Sequence, residues 1–189
     1  MNNIFQPDLA QAQRYFGVLA PYGIFTFQAF DDKGSKNPAL NRVFHGTLDQ
    51  HADELIRLNL AGAGIFVMVN EGDGVVHAGK KTCRTNDNVK RIRSVFCDLD
   101  GAPLEPILQA PLEPHIIVES SPGKWHAYWL TSDTSLDEFK GMQKALAAKY
   151  SGDPSVCDLA RVMRLPGFYH QKGEPFMTRL VKPVPTTSA

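Results

Sequence analysis

Asp98 and Asp100 stand one residue apart at the end of the apolar run Val95-Phe96-Cys97-Asp98-Leu99-Asp100-Gly101. Residues i and i+2 of a strand project from one face, so the two carboxylates would emerge together. Acids held that close repel each other unless something cationic sits between them. A divalent ion that prefers oxygen ligands, Mg²⁺ or Mn²⁺, suits that place. A third acid, Asp158, follows the short apolar pair Val156-Cys157. Three carboxylates can bridge two ions, the arrangement that activates a 3′-hydroxyl and stabilises a leaving pyrophosphate. His126 follows a turn-like Ser-Ser-Pro-Gly, with Lys124 two residues before it on the same strand face. A histidine beside a lysine is suited to triphosphate oxygens. Arg161 and Arg164, three apart, would share a face of a helix, and Lys172 follows Pro166-Gly167. That run supplies cations for phosphates or for a template strand.

Net charge is zero, with 20 basic and 20 acidic residues. A zero sum argues against nucleic-acid binding, which feeds on positive charge, but the distribution is uneven. Residues 80–93 carry Lys80, Lys81, Arg84, Lys90, Arg91 and Arg93 against Asp87 alone. Residues 161–182 carry Arg161, Arg164, Lys172, Arg179 and Lys182 against Glu174. Charge runs are commonly solvated faces, yet these two flank the acidic motif. Three cysteines without Cys-x-x-Cys spacing read as reduced, buried thiols. His77 and Cys83 make only half of a zinc site. No run approaches a membrane span and the N-terminus lacks a charged-then-apolar leader, so cytoplasmic residence without a membrane is expected.

Mixed elements must position these groups. The spacing predicts helices over 8–20, over 48–61 behind a capping box at Thr47-Leu48-Asp49-Gln50, and over 136–150 behind a second box at Ser135. Leu136, Phe139, Met142, Leu146 and Ala147 would line one face of the last. A short helix is predicted around 104–109. Strands are predicted over 24–30, 65–69, 89–99, 115–119, 125–130 and 176–181. The link Ser120-Ser121-Pro122-Gly123 is hairpin chemistry, so its two strands should be antiparallel neighbours. Residues 183–189 read as a linker. Hairpins and helices without regular βαβ alternation indicate an α+β fold.

Several chemistries use an Asp-x-Asp at a strand end. The segment resembles haloacid-dehalogenase-type phosphatases, in which the first Asp is a nucleophile, and Gly152-Asp153 with Asp158 imitates their later acidic motif. Against that stand Ala102 where the family usually has Thr, a hairpin where it needs parallel strands, and half a chain in front of the motif. A glycosyltransferase Asp-x-Asp would require a larger sugar-nucleotide domain upstream.

Taken in order, the acidic pair, the strand with His126 and the third acid resemble the archaeo-eukaryotic primase superfamily. The segments 96–101, 115–130 and 152–172 are most similar to the RepB-type primase domain of plasmids, phages and mobile elements, above all Ser155-Val156-Cys157-Asp158-Leu159-Ala160-Arg161-Val162-Met163-Arg164-Leu165-Pro166-Gly167. The resemblance implies a two-lobed core whose second lobe carries an RNA-recognition-motif-like antiparallel sheet. The boundaries would be 1–182 for the catalytic domain, with lobes of about 1–85 and 86–182. It implies a DNA primase or primase-polymerase, a nucleotidyltransferase using two Mg²⁺ or Mn²⁺ ions on Asp98, Asp100 and Asp158. Lys124, His126, Arg161, Arg164 and Lys172 would contact the nucleotide; many relatives have a small hydroxyl residue where this chain has Lys124. Among the basic residues of 80–93, Lys81, Arg84, Lys90 and Arg91 would hold the template. Implied partners are single-stranded DNA, NTP or dNTP, and a replicative helicase or helical initiation domain. Without such a domain the chain should extend primers better than it starts them. The alternatives are the phosphatase and a non-catalytic replication-initiator module.

Overall fold

A computed structural model describes residues 5–183. Helix α1 (Leu9–Leu19) starts where the Asp8 carboxylate accepts the Ala10 amide. Strands β1 (Phe25–Asp31) and β2 (Arg42–Gly46) form a hairpin. Helix α2 (Leu48–Leu60) opens on the expected capping box, with Thr47 and Gln50 satisfying each other's amides. Strand β3 (Ala63–Met68) returns antiparallel to β1. The short β4 (Glu71–Gly72) pairs with β5 (Val89–Arg91). Strand β6 (Ser94–Leu99), short helix α3 (Glu105–Leu108), and strands β7 (Ile116–Ser121) and β8 (Lys124–Leu130) follow. Helix α4 (Leu136–Tyr150) opens on the second capping box, Ser135 with Glu138. Strands β9 (Val162–Arg164), β10 (Tyr169–His170), β11 (Phe176–Met177) and β12 (Arg179–Lys182) complete the order.

Two four-stranded sheets dominate, β2-β1-β3-β9 and β12-β7-β8-β6, and every strand pairing is antiparallel. This is the expected α+β class, including the antiparallel sheet of the second lobe. Among the described residues it leaves no parallel strand-helix alternation of the kind the phosphatase core requires. In β1, Phe25, Phe27 and Ala29 face the buried core, where Phe16 of α1 packs on Phe25 at 4.0 Å between ring centroids. The hairpin between β7 and β8 closes at Pro122-Gly123, with Gly123 at φ 71° as a type II turn needs.

β6 is an edge strand, and its open side is covered by α4 and the chain after it. The amide of Phe96 donates to the buried Gln143 of α4 at 2.8 Å, and the carbonyl of Asp98 accepts the Asp153 amide at 2.9 Å. Gly152 lies so close that a Cβ there would collide with Cys97 Sγ. The Gly152-Asp153 turn is thus a brace for the strand that carries the acids.

Several expected elements differ in detail. The strand predicted over 89–99 is two strands, because the chain changes partners at Ile92-Arg93, from β4 to β8. The strand over 176–181 likewise breaks at Thr178, whose amide and carbonyl bond to Phe168 and Gly167. Residues 162–164 form a strand beside β3 rather than a helix, so Arg161 and Arg164 do not share a helical face. On α4, Leu136 and Met142 are exposed at 37% and 40%, while Gln143 is buried. The fold spends that interior position on capping the edge strand. β2 had no sequence-level counterpart.

Candidate active site

A cleft of about 290 Å³ opens between the two sheets, lined by Asp98, Asp100, Lys124, His126, Arg164 and Lys172, with Phe66, Ser121 and His170. Six of the eight residues expected at acids and nucleotide are therefore together. A hollow of about 610 Å³ between the end of α1 and the start of α2 is lined by one charged side chain, Asp49, and in another of about 620 Å³ the charges of Arg91 and Arg93 are answered by Glu71.

Sheet register does the assembling. Asp98 lies directly opposite His126, and Leu99 opposite Trp125. The backbone groups of Phe96 and Asp98 that bond to Gln143 and Asp153 point away from β8. Asp98 and His126 therefore form the closer, non-hydrogen-bonded kind of antiparallel pair. His126 Nε2 is 3.7 Å from Asp98 Oδ1. Asp100 lies one residue beyond the strand, where Gly101 turns the chain at φ 97°. It meets Lys124, whose Nζ is 2.5 Å from Asp100 Oδ1.

The two cleft acids are held differently. Burial pushes the Asp98 carboxyl up to about 6, with the nearby charges of Asp100 and then Asp153 adding to it, while Arg161 and Lys124 pull it back. Burial lowers His126 to about 3, with Arg164 reinforcing the shift. The imidazole is therefore neutral at pH 7, and its contact with Asp98 is not an ion pair. On the other wall, Arg164 makes two hydrogen bonds to Asp32, at 2.7 and 3.0 Å, and its guanidinium stacks 4.5 Å from the Phe66 ring centroid. Gly64 leaves the room for that pair: a Cβ there would sit 2.5 Å from Asp32 Oδ2 and 2.6 Å from Arg164 Nη1.

Asp158 and Arg161 stand apart from the lining, on the loop before β9, paired at 2.6 Å. Arg161 also donates to the Ser155 carbonyl. Among the described residues no three His, Cys, Asp or Glu side chains group closely enough to hold a metal, so the three acids are not assembled as one cluster. Asp153, unlike Asp158, is close enough to raise Asp98. Of the residues expected at the template, Lys81 and Lys90 are exposed. Arg84 turns inward, donating to Gln28 Oε1 at 2.7 Å and lying 5.7 Å from the Phe30 ring. Arg91 is held by Glu71 at 2.8 and 3.0 Å. Sequence reading missed Asp32, Asp153 and His170 as parts of this site. Asp153 sits beside a glycine, the one local signal that its turn packs closely.

The fold and motifs have clear counterparts. The model for the RepB DNA-primase N-terminal domain matches residues 86–183, more than half of the chain. Among solved structures, the chain is similar to the archaeo-eukaryotic primase domain of the cyanophage S-2L primase-polymerase, at 17% identity and a TM-score of 0.68, covering 93% of this chain and 90% of that one. It is similar to primase RepB′, at 18% identity and a TM-score of 0.65, covering 91% of this chain and 55% of that one. The catalytic domain of RepB′ in complex with initiator DNA matches at 18% identity and a TM-score of 0.62, over 91% and 85% of the two chains. The chain thus spans about 55% of the length of the RepB′ primase structure. No curated protein matches it. By sequence and by fold, the chain belongs to the family of RepB DNA-primase N-terminal domains.

Proposed function

We propose that this chain is a template-directed nucleotidyltransferase, a DNA primase or primase-polymerase acting on single-stranded DNA with NTPs or dNTPs in the replication of a plasmid, phage or mobile element. The observation that carries the reading is the cleft itself: an acidic floor of Asp98 and Asp100 facing cationic walls of Lys124, Arg164 and Lys172. Family membership and the likeness to primase folds support it. The unit would be a catalytic domain over 1–182, with a helicase or a helical initiation domain as partner and the cytoplasm as its place. No described helix is long and apolar enough to cross a membrane.

The residues present fit a divalent cation. Mg²⁺ is commonly held by one or two carboxylates together with water and substrate phosphates, and a carboxyl raised to about 6 by burial and a neighbouring acid gains from a cation beside it. Asp98 and Asp100 would hold the ion, with Asp158 joining once its pairing with Arg161 is exchanged. Bound there, Mg²⁺ or Mn²⁺, two ions in the full scheme, would polarise phosphoryl oxygens and favour loss of the 3′-hydroxyl proton. Lys124, released from Asp100, is then free to bind a phosphate oxygen. Arg164, its plane fixed by Asp32, and Lys172 offer further donors to the triphosphate, and Arg161 exchanges Asp158 for phosphate. Lys81 and Lys90 would track the template backbone, with Arg84 and Arg91 joining them on exchanging Gln28 and Glu71 for phosphate. Catalysis in this scheme is positioning and charge neutralisation, with no side-chain nucleophile.

The test is extension of a primed template with Mg²⁺ or Mn²⁺, beside Asp98→Ala and Asp158→Ala. Loss of synthesis with retained DNA binding is expected for both. Template binding without synthesis in the parent chain would move the reading to a non-catalytic replication-initiator module. Phosphate release from small phosphomonoesters would return it to a phosphatase.

A further inference from the structure

His126 has two distinct ring nitrogens. Nε2 faces the cleft, 3.7 Å from Asp98 Oδ1. Nδ1 faces inward, 3.3 Å from the hydroxyl of Tyr128, the next residue on the same face of β8. Tyr128 is fully buried, and Tyr15 of α1 packs edge-on against it with ring centroids 5.7 Å apart. The Tyr15 hydroxyl is itself buried with no hydrogen-bond partner among the described residues.

A buried phenol must place its proton on an acceptor or forfeit the bond it had in water. Nδ1 is the acceptor the geometry offers to Tyr128. The Tyr15 hydroxyl is in hydrogen-bond geometry with no group among the described residues, so it does not take that proton. In the opposite arrangement, Nδ1–H would donate to the phenol oxygen. The Tyr128 proton would then have only the Tyr15 oxygen to turn to, which lies outside hydrogen-bond geometry, and the bare lone pair of Nε2 would face the Asp98 carboxylate. The phenol on one side of the ring and the carboxylate on the other therefore select the same tautomer.

We propose that Tyr128 is a positioning residue that locks His126 as the Nε2–H tautomer, making it a hydrogen-bond donor to a phosphate oxygen in the cleft and closing Nε2 to metal ligation. The phosphate as recipient rests on the nucleotidyl-transfer reading, whereas the tautomer stands on Tyr128 and Asp98 alone.

Long-range ¹H–¹⁵N correlation on ¹⁵N-labelled protein reads the tautomers of the six histidines directly. His126 is identified as the ring missing in His126→Gln. The expected result is a proton on Nε2 in the parent chain and a mixture of tautomers in Tyr128→Phe. Losing part of one hydrogen bond raises the nucleotide KM of Tyr128→Phe roughly three- to tenfold, with a smaller change in kcat. A second comparison does not require that variant to fold. Gln places an amide donor near the Nε2 position and Asn near Nδ1, so His126→Gln should keep nucleotide KM within about threefold and His126→Asn lose tenfold or more. A proton on Nδ1 in the parent chain overturns the proposal, as does an unchanged tautomer in a folded Tyr128→Phe. If the Nε2–H tautomer is found in a protein that makes no DNA, nucleotidyl transfer fails and the tautomer assignment stands.

Discussion

Asp98 lines the cleft from β6, whereas Asp32, in the turn after β1, sits behind the opposite wall and reaches it only through Arg164. The Asp32 side chain is 1% exposed and accepts three hydrogen bonds, two from Arg164 and one from the Gln171 amide. The Asp98 side chain is 25% exposed, and the group that faces it across the strand pair is a neutral imidazole at 3.7 Å. One carboxylate accepts three hydrogen bonds from the protein, and the other is desolvated with only a partial offset from the charges of Arg161 and Lys124. A buried acid left short of partners is retained when something outside the fold completes it, and here that is the cation of the proposed reaction. Asp32 by contrast is part of the scaffold: it sets the plane of Arg164 and has no surface left for a ligand.

The sharpest way to break this contrast is to neutralise each acid in turn. Asp98→Asn should lower primer extension by a factor of about 10²–10³ or more without lowering the melting temperature. Asp32→Ala should leave Arg164 buried and unpaired and cost about 3–5 kcal/mol of stability, read as a fall in melting temperature before any assay of synthesis. Equal melting losses in both variants would mean that Asp98 is scaffold as well.

The contrast also has a pH signature. The Asp98 carboxyl is raised from 3.8 to about 6 by burial, so between those values the folded chain binds a proton that the unfolded chain has released. Its contribution therefore falls as pH rises from about 4 through about 6, costing about 2 kcal/mol at neutral pH after allowance for partial exposure. Acids whose carboxyls are lowered, such as Asp73 at about 2, act in the opposite sense, so the effect is read as a difference between the parent chain and Asp98→Asn. Denaturant titrations from pH 4 to 8 should show Asp98→Asn gaining on the parent chain as pH rises. Saturating Mn²⁺ should narrow the gap. A gap that is flat with pH would refute the desolvated environment assigned to Asp98.

Local signals carried much of this molecule. The capping boxes at Thr47 and Ser135, the alternation of β1 and the Pro122-Gly123 turn are short-range chemistry and are where they were expected. The acidic pair and His126 were legible as residues on strands, but the register that sets Asp98 opposite His126 joins β6 to β8, which α3 and β7 separate in the chain, and only the folded sheet shows it. Features set by distant partners were not legible. Asp32 and Arg164 are 132 residues apart, and nothing around Asp32 announces a buried ion pair. The breaks within 89–99 and 176–181 come from a change of partner strand, which periodicity cannot register. Arg161-Val162-Met163-Arg164 fits either helix or strand over so few residues, and pairing with β3 decided it. The position of Asp158, paired with Arg161 and away from Asp98, depends on a loop for which spacing alone gives no geometry.

The smallest expected effect concerns the other acid of the cleft floor, Asp100, and its partner. Lys124 Nζ lies 2.5 Å from Asp100 Oδ1, with the two side chains 49% and 60% exposed. An exposed pair of this kind contributes little, so Lys124→Ala should change unfolding free energy by under about 0.5 kcal/mol, and less still in high salt. Its functional effect should split in two. Removing the ammonium removes a competitor for the Asp100 carboxylate, so apparent Mn²⁺ affinity should rise about two- to threefold, as expected for relief of a weak, screened charge contact. The same change removes a phosphate contact, so nucleotide KM should rise. Mn²⁺ titration followed by electron paramagnetic resonance gives the first quantity, and extension kinetics give the second. Tighter metal with unchanged KM would make Lys124 only a counter-ion to Asp100. Stability loss on the scale of Asp32→Ala would place this pair with the scaffold and dissolve the distinction between the two walls of the cleft.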